Sequence, residues 1–91
     1  MPKYLIERNI PGIGQPSERD IQAIAVKSNR VLGEMGPEIQ WQHSYVSDDK
    51  LYCLYIATNE SLVRQHAEKG DFPLNNIYPV KGTIDPTTGE D

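Results

Sequence analysis

Ile39-Gln40-Trp41-Gln42-His43-Ser44-Tyr45-Val46, then Ser47-Asp48-Asp49-Lys50, then Leu51-Tyr52-Cys53-Leu54-Tyr55-Ile56-Ala57 is the stretch that decides the fold. The first run mixes aromatic and β-branched residues with polar ones and reads as a strand over Glu38 to Val46. The tetrapeptide is turn chemistry, because Asp tolerates left-handed backbone and hydrogen-bonds its own chain. The third run is nearly all apolar or aromatic, as suits a central strand covered on both faces. With Asp48-Asp49 as the central pair of a two-residue hairpin, Val46 faces Leu51, Tyr45 faces Tyr52, His43 faces Leu54 and Trp41 faces Ile56. One face then carries Ile39, Trp41, His43, Tyr45, Tyr52, Leu54 and Ile56. The other carries Gln40, Gln42, Ser44, Val46, Leu51, Cys53, Tyr55 and Ala57. The first is the more apolar and is expected to lie beneath the helices.

Working outward, Lys3 to Asn9 reads as a strand that Ile10-Pro11-Gly12 breaks. Ser17 is the expected N-cap of a helix, with Asp20 three residues on. Ile21, Ile24, Ala25, Ser28, Val31, Leu32 and Met35 recur at helical spacing, and Gly36-Pro37 stops the run. Thr58 or Asn59 caps a second helix running to about Lys69, ended by Gly70. Asn76 to Ile84 is a fourth strand, and Pro79 within it argues for an edge position. The order β-α-β-β-α-β, with right-handed crossovers, predicts an α+β ferredoxin-like plait. Its four antiparallel strands take the spatial order 4-1-3-2, with both helices on one face. Residues 1–84 form a single domain and 85–91 a polar C-terminal tail.

The sheet face away from the helices is too apolar to be left in water. The expected patch is Leu51, Cys53, Tyr55 and Val46; such a patch marks an interface, and the economical cover is a second copy packed sheet against sheet. A homodimer is therefore expected. The net charge of −4 is partly an end effect of Asp85, Glu90 and Asp91. A nearly neutral body offers little attraction to phosphate backbones or anionic membranes, so neither nucleic acid nor membrane is expected as a partner. The lone Cys53 cannot form an intrachain disulfide, and no run is apolar enough to span a bilayer. These point to a cytoplasmic protein.

The two histidines are the chemical clue, since imidazole is the commonest metal ligand. His66 lies on the apolar stripe of the second helix and His43 within a strand, and each is a candidate metal ligand. The plait separates them by two inter-strand intervals of about 4.8 Å each, which argues against one ion shared within a subunit. His66 is otherwise a packed helix histidine with one hydrogen bond, and His43 a brace for the Trp41–Tyr45 side of the core. Glu7, an acid inside the first strand, is expected on the dimer side. It is a candidate metal ligand or general base there, or else half of a strand-end salt bridge to Arg8 or Lys50 of a neighbour. Cys53 reads as a small core residue rather than a nucleophile. Gly12-Ile13-Gly14 is too short a signal for a phosphate loop and reads as a tight loop.

Tyr4-Leu5-Ile6-Glu7-Arg8, the Ile39–Val46 and Leu51–Ala57 strands, His66-Ala67 and Phe72-Pro73 together resemble a family of small bacterial nickel-responsive or nickel-binding proteins of unassigned function. The resemblance spans roughly Pro2 to Thr88. It implies a ferredoxin-like dimeric α+β barrel and a divalent metal such as nickel, with Glu7, His66 and more weakly His43 as ligand positions. The nickel-binding branch carries His-Arg where this chain has Glu7-Arg8, and nickel favours imidazole over carboxylate more than calcium or magnesium does. The leading expectation is a homodimer binding a divalent transition metal or a small ligand, and not an autonomous enzyme. The alternative is a monooxygenase-like enzyme of the dimeric α+β-barrel type, with Trp41, Tyr45 and Tyr52 lining a pocket between sheet and helices.

Overall fold

The computed structural model describes residues 1–15 and 18–90, so the proposed Ser17 cap lies outside the described residues. In chain order the elements are β1 (Lys3–Asn9), α1 (Glu18–Met35), β2 (Ile39–Val46), β3 (Lys50–Ala57), α2 (Glu60–Gly70), β4 (Asn76–Val80) and a short 3-10 turn (Pro86–Gly89). The strands pair antiparallel in the order β2-β3-β1-β4. This is the ferredoxin-like plait that the element order predicts.

Local chemistry explains the joints. The Ser47 amide donates to the Lys50 carbonyl at 2.9 Å, closing the β2–β3 hairpin around Asp48-Asp49. The loop after β1 is held to that hairpin. The Gly12 amide donates to Asp49 Oδ1 at 2.9 Å and the Gly14 amide to the Asp48 carbonyl at 3.0 Å. A Cβ on Gly14 would come within 2.7 Å of the Ser47 carbonyl oxygen, so the close approach requires glycine there. Gly36, at φ +87, ends α1 as its position predicts. At the end of α2 the left-handed residue is Asp71, at φ 55, rather than Gly70. Gly70 is needed for a different reason: a Cβ there would overlap the Phe72 ring. Asn59 is the N-cap of α2, its side chain accepting from the Leu62 amide at 3.1 Å.

The hairpin register holds from Val46 to His43 and then slips. Gln42 is left over as a bulge, and Trp41 pairs with Tyr55, not Ile56. The expected choice of faces is also reversed. The helices cover Tyr4, Ile6 and Arg8 of β1 and Leu51, Cys53, Tyr55 and Ala57 of β3, all buried. The reason is the central pairing: Tyr4 lies opposite Tyr55 and Ile6 opposite Cys53, and residues directly opposite each other share a face. Counting apolar residues on the hairpin alone favours the other side, because it credits Tyr45 to the core. Tyr45 is 61% exposed. Val31, Val63 and Ala67 close the core from the helices.

β4 is shorter than expected. Lys3, the first residue of β1, pairs with Val80, so β1 offers no partner beyond that point. The chain after Asp85 folds into its 3-10 turn, capped by Asp85 accepting from the Thr88 amide at 3.1 Å.

Candidate functional site

The covered face holds a cluster of polar groups that a small core would ordinarily exclude. Alternation along β1 puts Arg8 on the same side as Tyr4 and Ile6, and it is 2% exposed. Its Nη1 donates to the Pro73 carbonyl at 2.7 Å and its Nη2 to the Tyr55 hydroxyl oxygen at 3.4 Å. The guanidinium carbon sits 5.4 Å from the centre of the Phe72 ring. His66, fully buried on α2, packs against the other rings, 5.4 Å from Phe72 in a stacked arrangement and 5.1 Å from Tyr55. Its Nε2 lies 3.1 Å from Ser28 Oγ on α1, and its Nδ1 has no hydrogen-bond partner. Ser28 therefore ties the two helices together over the Arg8–Tyr55 pair.

Burial, reinforced by the Arg8 charge and opposed by hydrogen bonding at Ser28, pulls the His66 imidazole down to about 4. The ring is neutral at physiological pH. Burial pushes the Tyr55 hydroxyl upward, with Arg8 working against it. The cluster thus carries the positive charge of Arg8 among neutral neighbours.

The open face carries the other candidates. Glu7 pairs with Tyr52 and Asn76 across the sheet and accepts from Lys50 Nζ at 2.7 Å. That hydrogen bond holds its carboxyl below the usual carboxylate range, against the raising effect of burial. The salt-bridge reading of Glu7 is the one the geometry supports, with Lys50 of the same chain as its partner. His43 is exposed and does not brace the core; its ring meets Tyr45 edge-on at 5.0 Å. It faces Leu54, which faces Leu5, so Glu7 is two strands away and farther along. That separation is at least about 10 Å, beyond what one ion can bridge. His66 lies on the opposite side of the sheet. Among the described residues no three of His, Cys, Asp and Glu converge as a metal site. The three sequence candidates are thus dispersed, and a single subunit does not assemble a nickel site from them.

Arg8, Ser28 and Tyr55 are absent from the sequence-derived candidates. The alternation Tyr4-Ile6-Arg8 carries the signal for the first, since it sets a charged residue at a core-facing position. Cys53 is a buried free thiol, as expected of a small core residue. Of the aromatic residues proposed to line an enzyme pocket, only Trp41 turns toward the helices; Tyr45 and Tyr52 belong to the open face.

A family model described as "Nickel responsive protein SCO4226-like" matches residues 4–80. The chain belongs to this family. Its fold also matches the crystal structure of SCO4226 from Streptomyces coelicolor A3(2) with a TM-score of 0.75. The alignment covers 90% of this chain and 99% of that one at 12% identity. At that identity the match establishes the shared plait and leaves individual site residues to be argued from this chain. No curated protein sequence matches. Among the described residues no helix is long and apolar enough to cross a membrane.

Proposed function

We propose that this protein is a homodimer that takes part in a nickel response by binding the ion between two copies of the chain, at the open sheet face. The observation that carries this reading is the position of His43. It is the one exposed imidazole among the described residues, and it stands on the face that no helix covers. Leu5, Leu54 and Ile56 are half-buried on that face, and Tyr45 and Tyr78 are exposed. A second copy packed sheet against sheet would remove this apolar area from water. A two-fold axis passing close to His43 would set the His43 rings of the two copies side by side. Nickel favours imidazole donors, and an exposed ring coordinates without displacing core contacts. His66 is poorly suited to the role, because any cation there meets the Arg8 guanidinium in a buried setting.

The enzyme alternative lacks support. The half-open space beside Arg8 measures about 30 Å³, and His66 does not line it.

Calorimetric titration of metal-free protein with nickel, beside sedimentation with and without the ion, tests the proposal. Saturable heat that is lost in His43→Ala and kept in His66→Leu supports it, as does a dimer that Leu54→Lys dissociates. A monomer under all conditions, or heat unchanged in His43→Ala, overturns it.

A further inference from the structure

We propose that the space between α1 and the β2–β3 side of the sheet binds a small organic anion, a monocarboxylate with a short apolar tail. Three observations converge on this site independently of the nickel proposal.

The first is an uncompensated charge. Buried arginines are ordinarily paired, and burying an unpaired ion is strongly unfavourable. The ion pairs found among the described residues are Lys50–Glu7 and Arg64–Glu60, and neither involves Arg8. Its neighbours Tyr55 and His66 are neutral. Lys27 Nζ lies 5.0 Å from the centre of the same Phe72 ring that Arg8 covers, so a second cation approaches the cluster. A guanidinium has N–H donors to spare beyond the two bonds to Pro73 and Tyr55. The chemistry lacking here is a negatively charged acceptor.

The second is a cavity beside that charge. A half-open space of about 30 Å³ is lined by Arg8, Ser28, Ser44, Cys53, Tyr55 and Phe72, together with residues that it shares with a neighbouring groove. That volume holds a water or two, or a carboxylate group. The arginine and three hydroxyl-bearing side chains line this inner end.

The third is an adjoining apolar groove that shares part of its lining. Ile24, Trp41, Ser44 and Leu51 also line a groove of about 120 Å³, completed by Ile21, Ala25 and Val46. The bulge at Gln42 creates the passage. It turns Trp41 to the helix side, where Nε1 donates to Ser44 Oγ at 3.0 Å. An inner end where Arg8 lies beside a mostly apolar lining, and an apolar outer channel, match an anionic head with an aliphatic tail. A metal cation is the wrong occupant, since Arg8 and Lys27 repel it.

Trp41 is the chain's sole tryptophan and lines both spaces, so its fluorescence reads the site directly. Chelator-treated protein is titrated with hexanoate, hexanamide and acetate. The expected result is a saturable change with hexanoate, and binding at least about 10-fold weaker for hexanamide, which lacks the charge, and for acetate, which lacks the tail. Ala25→Leu, which fills the groove without touching Arg8, should abolish the hexanoate response. Arg8→Lys, which keeps the charge and loses the planar fork, should weaken it by about 10-fold or more. The proposal is overturned if hexanoate gives no saturable response up to about 10 mM, if hexanamide or acetate binds equally well, or if Ala25→Leu binds unchanged. Should Arg8→Lys fail to fold, the ligand comparison and Ala25→Leu decide alone.

Discussion

The two faces of the sheet handle charge in opposite ways. On the open face Glu7 and Lys50 meet at 2.7 Å, partly in water, and balance each other. On the covered face Arg8 is buried with a carbonyl, a hydroxyl and an aromatic ring and, among the described residues, no counter-ion, beside a histidine held neutral. The histidines follow the same division, His43 in solvent and His66 in the core. The uncompensated charge inside the domain is what motivates the proposed anion site; a charge compensated at the surface serves solubility and register. The open face has partly exposed apolar side chains instead, and it is there that the proposed second copy and its shared ion would sit.

Mutations can break this contrast. The largest effect is expected from truncating paired neighbours of β1 that differ in face. Ile6→Ala, at a fully buried position, should cost about 2–5 kcal/mol in denaturant unfolding, and Leu5→Ala on the open face about 1 kcal/mol or less in the monomer. Equal costs would mean that a partner covers the open face as fully as the helices cover the other.

The next effect is in pH. His66 sits near 4 when folded and near 6.5 when unfolded, so the unfolded chain binds more protons between those values. Stability should therefore fall as pH drops from about 6.5 to about 4, by up to about 3 kcal/mol, and His66→Leu should flatten that dependence whatever its absolute stability. His43→Ala should leave the dependence in place. Glu7 works in a lower window. With its folded pKa depressed, its contribution is present above the ordinary carboxylate pKa and is lost as pH falls through the folded value.

A smaller loss, about 1 kcal/mol in thermal or denaturant unfolding, is expected from Asn59→Ala, which removes the cap of the helix carrying His66. The smallest belongs to Lys50→Met on the open face. Its effect on melting temperature should be below all of these and should shrink further with added salt, because the pair is partly solvated.

Much of this fold was legible from local chemistry. Asp48-Asp49 made the hairpin, Gly36-Pro37 ended α1, Pro79 marked an edge strand and the element order dictated the plait. Each of these signals acts over a few residues, and backbone sterics or a missing N–H enforce it wherever the chain goes. The face assignment was not legible from the hairpin alone, because both of its faces carry apolar side chains. It was decided by which side of β1 the helices cover, through the opposition of Tyr4 to Tyr55 and Ile6 to Cys53. The bulge at Gln42 was hidden for a similar reason: no glycine or turn residue announces it, and it appears only when Trp41 must pack against α1.

The candidate site was legible only in part. The sequence by itself placed His66 on an inward stripe, Glu7 on the opposite side of β1 and a mostly apolar strand at the centre, since period and propensity are properties of neighbouring residues. Tertiary structure alone brought Arg8, Ser28, Tyr55, His66 and Phe72 together from four elements and a loop. Their chemistry, a buried charge with no counter-ion among the described residues beside a small cavity, exists only at the distances that packing imposes.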